Sequence, residues 1–161
     1  MSQTRKKILF AGEGGQGVQV IAEILAKAAI AEGKDASYIP NFGVEQRGGV
    51  SLAFVIISSA EIVYPKFEKA DCLAILSDRS VERAQPFIGP QTKVILGPAV
   101  KKGLQTKSPP KAYNVVVLGE VNRQGKFVQP ANLLKALTTR FAKYFEKDPQ
   151  LKKIDLEALE G

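Results

Sequence analysis

A glycine-rich hexapeptide between an apolar run and an amphipathic segment constrains the fold of this chain more than any other feature. It spans residues 12–17 and reads Gly-Glu-Gly-Gly-Gln-Gly, a literal match to G-x-G-x-x-G. The run before it, residues 7–11, predicts a buried strand, and residues 18–31 carry apolar side chains at helical spacing. A strand, a glycine turn and a helix in this order predict the βα opening of an α/β domain.

The turn itself is a candidate anion-binding element. Its candidate cofactor-binding residues are Gly12, Gly14, Gly15, Gln16 and Gly17. Glycines permit positive φ and close approach of a ligand, and the amides at a helix N-terminus favour a phosphate. We expect valine at Gly14 to disrupt the turn or block the approach of a ligand, because valine resists positive φ.

Two observations argue against a dinucleotide site at this turn. The acid that binds a ribose at the end of the second strand is replaced by Pro40-Asn41. Glu13 also places a carboxylate where a pyrophosphate would approach. The sequence therefore favours a turn that lets the helix pack tightly on the sheet, with a dinucleotide site as the alternative.

A second polar, glycine-containing loop covers residues 42–49. Its candidate binding residues are Glu45, Arg47 and Gly48. Arginine offers a rigid fork of donors for a carboxylate or phosphate, and glycine gives close access. Two alternatives remain: a solvent-exposed Glu45–Arg47 ion pair of little energetic weight, or a single copy of the Arg-Gly-Gly box found in nucleic-acid-binding proteins.

The remaining pattern predicts a sheet with helices on its faces. Further strands are predicted at 36–39, 50–58, 72–76, 92–96 and 112–118, with 50–58 and 62–64 forming an antiparallel hairpin. Helices are predicted near 78–85 and 130–145, and the final dozen residues either form a short helix or fray. We predict one α/β domain over residues 1–161: three layers, a mainly parallel sheet, a glycine-rich first βα turn and a β-hairpin insertion.

The inventory of reactive side chains is small. The chain contains no histidine and one cysteine, Cys72, which excludes a histidine-based triad, a zinc site and a self-contained iron–sulfur cluster. The net charge of +7 is spread along the chain without interleaved aromatics, so we expect a solvated basic surface and no nucleic-acid partner. Without a long apolar run, we expect no membrane association and a cytoplasmic location.

Together, the two glycine loops make the sequence resemble a known family. The matching residues are, in chain order, Gly12-x-Gly14-Gly15-Gln16-Gly17-Val18, Ala26-x-Ala28, Gly33, Pro40-x-Phe42-Gly43-x-Glu45-x-Arg47-Gly48-Gly49, Ser58, Ile62 with Pro65, and Ala70-Asp71. In these positions the chain resembles the gamma subunit, or gamma domain, of 2-oxoacid:ferredoxin oxidoreductases. The match is strong to about Ser77, looser to Leu118-Gly119 and poor thereafter.

The resemblance implies a subunit that does not catalyse alone. Such complexes convert a 2-oxoacid and coenzyme A to acyl-CoA and carbon dioxide and pass electrons to ferredoxin. Thiamine diphosphate and iron–sulfur clusters belong to the other subunits, alpha, beta and in some complexes delta, so this chain has no catalytic residue and binds no cofactor by itself. The gamma part is expected to serve assembly and the coenzyme A side of the site.

Arg47-Gly48-Gly49, where pyruvate-type members tend to have Arg-Gly-Ala, favours a 2-oxoglutarate, branched-chain or arylpyruvate substrate. The sequence is also compatible with two other functions. One is a stand-alone nucleotide- or dinucleotide-binding domain, and the other is a basic nucleic-acid-binding module, whose binding would depend strongly on salt.

Overall fold

A five-stranded sheet with the order β2-β3-β1-β4-β5 organises the chain. The computed structural model describes residues 3–43, 49–97 and 112–161. The strands are β1 (Arg5–Glu13), β2 (Asp35–Phe42), β3 (Val50–Ser58), β4 (Cys72–Ile75) and β5 (Lys93–Leu96). β3 is antiparallel to both β1 and β2, while β1, β4 and β5 pair in parallel, so four of the five strands point the same way.

The long helices cover one face of the sheet, and the short helix α2, two 3-10 turns and loops cover the other. The helices are α1 (Val18–Ala31), α2 (Val81–Ala84), α3 (Tyr113–Gly125), α4 (Pro130–Arg140), α5 (Ala142–Lys147) and α6 (Pro149–Glu160). One apolar core joins α1, α3, α4 and α6 to the sheet. A smaller core on the opposite face joins Leu9, Leu52 and Leu73 to Ala84 of α2 and to a cluster of phenylalanines. This arrangement confirms the predicted three-layer α/β fold with a mainly parallel sheet.

The opening βα unit forms as the sequence predicts. The side chains of Ile8 to Ala11 are fully buried, because β1 lies at the centre of the sheet with both faces covered. Helix α1 has its predicted bounds, Val18–Ala31, and buries Ile21, Ile24 and Leu25 completely. β3 also has its predicted bounds, Val50–Ser58.

The partner of the antiparallel strand differs from the prediction. Residues 62–64 form no strand, and β3 pairs instead with β2 on one side and β1 on the other. Val63 and Tyr64 are largely exposed, at 86% and 65%, so this segment lacks the burial that a paired strand provides. The composition of these three apolar residues favours an extended conformation. Composition does not specify which strand a segment pairs with, so it could not show that this segment stays unpaired.

The prediction of a strand at 112–118 is wrong, because these residues begin helix α3. The consecutive valines at 115–117 favour a strand by local propensity. Buried residues nevertheless recur at helical spacing, at Val115, Leu118, Gly119 and Asn122, and they face α1 and α6. β-branched residues cost a helix only about 0.5 kcal/mol each, so tertiary packing outweighs the propensity.

The C-terminal region is helical to its end. The predicted helix at 130–145 is interrupted at Phe141, which separates α4 from α5. Asp148 caps α6 by accepting from the backbone N–H groups of Gln150 and Leu151, and Pro149 occupies the first helical turn. The predicted helix at 78–85 is the short α2, flanked by 3-10 turns at Asp78–Ser80 and Gln85–Phe87. Across the described parts of the chain, no helix combines the length and the apolar character needed to cross a membrane.

Candidate functional site

The parallel pairing of β1 and β4 places the glycine turn beside the end of β4. Both strands end at the same edge of the sheet, which is where ligands of parallel α/β sheets usually bind. Two side chains join this edge by donating to the carbonyl of Leu76: the amide Nε2 of Gln16 at 3.3 Å and the hydroxyl of Tyr113 at 2.7 Å. The carboxyl edge of the sheet is therefore the candidate site.

Much of the hydrogen-bonding capacity of the turn is used inside the turn. The Gln16 N–H donates to the Glu13 carbonyl at 3.1 Å, and the Glu13 N–H donates to Gln16 Oε1 at 2.7 Å. Positive φ occurs at Gly15 (89°) and Gly17 (75°) but not at Gly14. The expectation that valine at Gly14 fails because of positive φ is thus wrong, and that constraint belongs to the two later glycines.

The glycines differ in the space around them. A Cβ at Gly12 would lie 2.6 Å from Val18 Cγ2, and one at Gly17 would lie 2.3 Å from Asn114 Nδ2. At Gly15 no atom lies within 4 Å of a Cβ position. The structure therefore supports the packing interpretation at both ends of the turn and leaves only its middle open.

The turn contacts the second predicted loop directly. The Gly14 N–H donates to the Gly49 carbonyl at 2.9 Å, and the Gly43 N–H donates to the Val50 carbonyl at 3.1 Å. Both ends of the β2–β3 connection therefore lie at the same sheet edge as the turn. The predicted binding residues Glu45, Arg47 and Gly48 lie outside the described residues.

Two arginines that sequence reasoning did not identify lie at this edge. The Arg79 guanidinium forms an ion pair with the Glu13 carboxylate at 2.8 Å. Arg83 donates to the Val50 carbonyl at 2.7 Å and to Asn41 Oδ1 at 2.8 Å, which ties the end of β2 to the start of β3. The sequence contained one indication of these two arginines. They lie four residues apart just after a buried parallel strand, and residues with this spacing share one side of a helical turn beside the strand ends.

Ser77 adds a polar atom without a partner at the end of β4. Its side chain is 6% exposed, and its hydroxyl oxygen makes no hydrogen bond within the described parts of the chain. Ser77 directly precedes the 3-10 turn at Asp78–Ser80, but its side chain makes no capping bond. A buried hydroxyl without a partner costs free energy.

Strand order argues against the dinucleotide alternative. In dinucleotide-binding folds the second strand lies directly beside the first, so its terminal acid reaches the ribose next to the glycine turn. Here the antiparallel β3 separates β2 from β1. The residue near the end of β2, Asn41, is engaged by Arg83 instead.

The described residues offer binding groups more than reactive ones. Burial raises the pKa of the Cys72 thiol to about 12, since the neighbouring Lys93 offsets burial only in part, so this cysteine is a poor nucleophile. No group of three or more potential metal ligands occurs among residues 3–43, 49–97 and 112–161. The edge combines backbone amides, two guanidiniums and a hydroxyl, which suit an anionic ligand or a partner surface.

The fold and this edge define an α/β domain whose glycine turn packs the first helix against the carboxyl edge of a mainly parallel sheet. The chain belongs to the pyruvate ferredoxin/flavodoxin oxidoreductase family, whose model matches residues 7–153. A pyruvate synthase subunit PorC from Methanothermobacter thermautotrophicus is 32% identical over 173 residues, covering 96% of this chain and 96% of that protein.

Other relatives match over a shorter segment. The 2-oxoglutarate synthase subunit KorC from Archaeoglobus fulgidus is 39% identical over 88 residues, which cover 55% of this chain and 47% of the relative. In that match the chain spans about half of the relative's length.

Solved structures with low sequence identity share the fold. The gamma subunit of a keto/oxoacid ferredoxin oxidoreductase from Geobacter sulfurreducens superposes with a TM-score of 0.76 at 22% identity, covering 98% of this chain and 93% of that chain. The 2-oxoglutarate:ferredoxin oxidoreductase from Magnetococcus marinus, solved with 2-oxoglutarate, coenzyme A and succinyl-CoA bound, gives 0.82 at 20% identity. This chain corresponds to 30% of that longer chain.

Proposed function

We propose that this chain is the gamma-type subunit of a 2-oxoacid:ferredoxin oxidoreductase. In the assembled complex it supports the coenzyme A-dependent oxidative decarboxylation of a 2-oxoacid to acyl-CoA, with electrons passed to ferredoxin. The observation that carries the proposal is the family match over residues 7–153, supported by a PorC relative aligned along almost the whole of both chains. The lack of histidine and the single buried cysteine support a subunit that does not catalyse alone.

The proposal assigns the redox chemistry to partner subunits. Alpha and beta subunits, with delta in four-subunit complexes, would hold thiamine diphosphate and the iron–sulfur clusters, and the complex would act in the cytoplasm. The prediction of one domain over residues 1–161 is part of the same proposal. The substrate class that we favour is 2-oxoglutarate, a branched-chain 2-oxoacid or an arylpyruvate, because of Arg47-Gly48-Gly49 and the similarity to KorC.

Within the complex, we assign the carboxyl edge of the sheet to the coenzyme A side of the active site. Two features fit a phosphate at this edge: the open position at Gly15 and the exposed Arg79 guanidinium. They fit a pyrophosphate wrapped by the turn less well, because the N–H groups of Gly14 and Gln16 already donate within the protein. When bound, coenzyme A supplies the thiol that accepts the acyl group.

Steady-state kinetics of the assembled complex tests this assignment. Replacing Arg79 by glutamine removes one exposed guanidinium at the edge, and a lost charge-assisted contact of about 1.4 kcal/mol corresponds to a tenfold weaker interaction. We therefore expect Arg79→Gln to raise the KM for coenzyme A about tenfold while the KM for the 2-oxoacid and the kcat stay within twofold.

Arg5→Gln is the matched control, because Arg5 begins β1 at the opposite end of the sheet and contacts the carbonyl of Tyr64. It removes the same charge and should leave both KM values unchanged. An unchanged KM for coenzyme A in Arg79→Gln would contradict the assignment of the edge. Full activity of the partner subunits in the absence of this chain would contradict the proposed function itself.

A further inference from the structure

A cavity of about 260 Å³ lies in the helical layer. It is open to solvent and is bordered by the start of α1, the start of α3, the α4–α5 junction and α6. The residues that give it chemical character are Asn114, Arg140, Phe141, Tyr144 and Asp155. The remaining lining is aliphatic, so the cavity combines a few polar groups with an apolar wall, as small-molecule sites do.

Asp155 places a buried carboxylate at this cavity. It is 3% exposed, and its Oδ1 accepts no hydrogen bond from any described residue. Burial raises the pKa of its carboxyl to about 6, so the group is ionised at neutral pH. A buried carboxylate without a donor is costly, and its presence at a cavity points to a ligand that brings N–H donors.

Arg140 contributes the opposite charge to the same cavity. Its Nε lies 3.6 Å from a carboxylate oxygen of Glu23, and Glu23 also forms a closer ion pair with Lys27 at 3.0 Å. The guanidinium also lies 5.7 Å from the centre of the Phe141 ring. The Arg140 side chain is 34% exposed and shares its carboxylate partner with a lysine, so it retains donors for a ligand carboxylate.

The two charges restrict the chemistry of an occupant. A simple cation would be attracted by Asp155 but repelled by Arg140, and a simple anion would meet the reverse problem. We propose that this cavity binds a zwitterionic α-amino acid, with its ammonium group on Asp155, its carboxylate on Arg140 and an apolar side chain against Phe141 and the aliphatic wall. A free amino acid of modest size matches both charges and the apolar lining.

The cavity also adjoins the glycine turn. The Asn114 side chain lines the cavity and donates through Nδ2 to the Gly17 carbonyl at 3.3 Å. An occupant would therefore contact a residue that holds the end of the turn in place. The binding site itself does not depend on the function proposed above.

Isothermal titration of the full chain at pH 7.5 tests the proposal with three probes of similar shape. Leucine carries both charges, leucinamide keeps only the ammonium group, and 4-methyl-2-oxopentanoate keeps only the carboxylate. We expect leucine to bind, and the other two probes to bind at least about tenfold more weakly, because each leaves one charged group of the cavity unpaired. No leucine binding at millimolar concentration, or equal binding of either single-charge probe, would overturn the proposal.

A variant at Asp155 separates binding from folding. Asp155→Asn should abolish leucine binding and also raise the melting temperature at pH 7.5, because it removes a buried, unpaired charge. The gain in melting temperature should be smaller near pH 4. The Asp155 carboxyl has a raised pKa in the folded state and binds its proton more tightly in that state than in the unfolded chain. The stability of the wild-type protein therefore falls as the pH rises from about 4 to above 6. Arg140 and Tyr144 are the other ionisable groups lining the cavity.

Glu157→Gln is the control for this variant. Glu157 lies on the same helix but is exposed, so its replacement should change neither leucine binding nor the pH profile of stability. Leucine binding retained by Asp155→Asn would assign the ligand elsewhere and refute the site.

Discussion

At the scale of single residues, the glycine turn is a packing device with one open position. At Gly12 and Gly17 the side chains of Val18, Gln16 and Asn114 occupy the space that a Cβ would need, so a larger residue requires these neighbours to move. Gly15 is required only for its φ of 89°. The sequence predicted the turn and its place between strand and helix, since strand, glycine and helix signals are all local. The roles of individual glycines were not predictable, because the atoms that fill their space come from distant residues such as Asn114.

Alanine substitutions distinguish these two roles. Gly15→Ala should cost about 1 kcal/mol in the free energy of unfolding, the penalty for a left-handed backbone at a residue with a Cβ. Gly17→Ala should cost about 2–4 kcal/mol, because the same backbone penalty is joined by a Cβ 2.3 Å from Asn114 Nδ2. Urea unfolding of the three proteins measures both values. Equal costs at the two positions would show that Asn114 does not fill the space beside Gly17.

The site residues that the sequence did not predict were missed for one physical reason. Arg79, Arg83 and Asp155 lie in segments whose local pattern is that of ordinary exposed helix. Arg79 and Arg83 gain their role when β4 pairs with β1 in parallel, and Asp155 when α6 packs on α3. Such roles follow from tertiary contacts between distant segments, which a single sequence does not specify.

At the scale of elements, helix α3 is where local and tertiary signals conflict most. Three consecutive valines favour a strand, yet the segment forms a helix because Gly119 lets α6 approach closely. A Cβ at Gly119 would lie 2.4 Å from the Leu159 carbonyl oxygen. By contrast α1 and β3 form with their predicted bounds, because their local pattern agrees with their burial.

Gly119→Ala tests the close approach of α3 and α6. Alanine would add about 1 kcal/mol of helix propensity, but the clash with a backbone oxygen requires α6 to move. We expect a net loss of about 1–3 kcal/mol in the free energy of unfolding, measured by thermal or urea denaturation. Gln124→Ala, at an exposed position of the same helix, should change stability by less than about 0.5 kcal/mol. A stabilised Gly119→Ala protein would mean that the helices do not meet as described.

At the scale of the whole molecule, the polar binding groups of the described structure gather at one edge of the sheet. The carboxyl edge of the sheet gathers the glycine turn, both ends of the β2–β3 connection, two arginines and an unpartnered hydroxyl. Large apolar side chains also remain exposed, among them Phe42 at 69% beside this edge. The described residues lack a metal-ligand cluster, and Cys72 is buried. These features are consistent with an edge that is completed by other subunits.

Co-purification from native cells is the most direct test of the central claim that this chain works as a subunit. The tagged chain should bring down thiamine-dependent and iron–sulfur subunits in fixed stoichiometry, and the eluate should reduce ferredoxin when given a 2-oxoacid and coenzyme A. A chain recovered alone, with no 2-oxoacid oxidation in the eluate and with tight binding of NAD by the isolated protein, would contradict the account and favour an independent dinucleotide-binding domain.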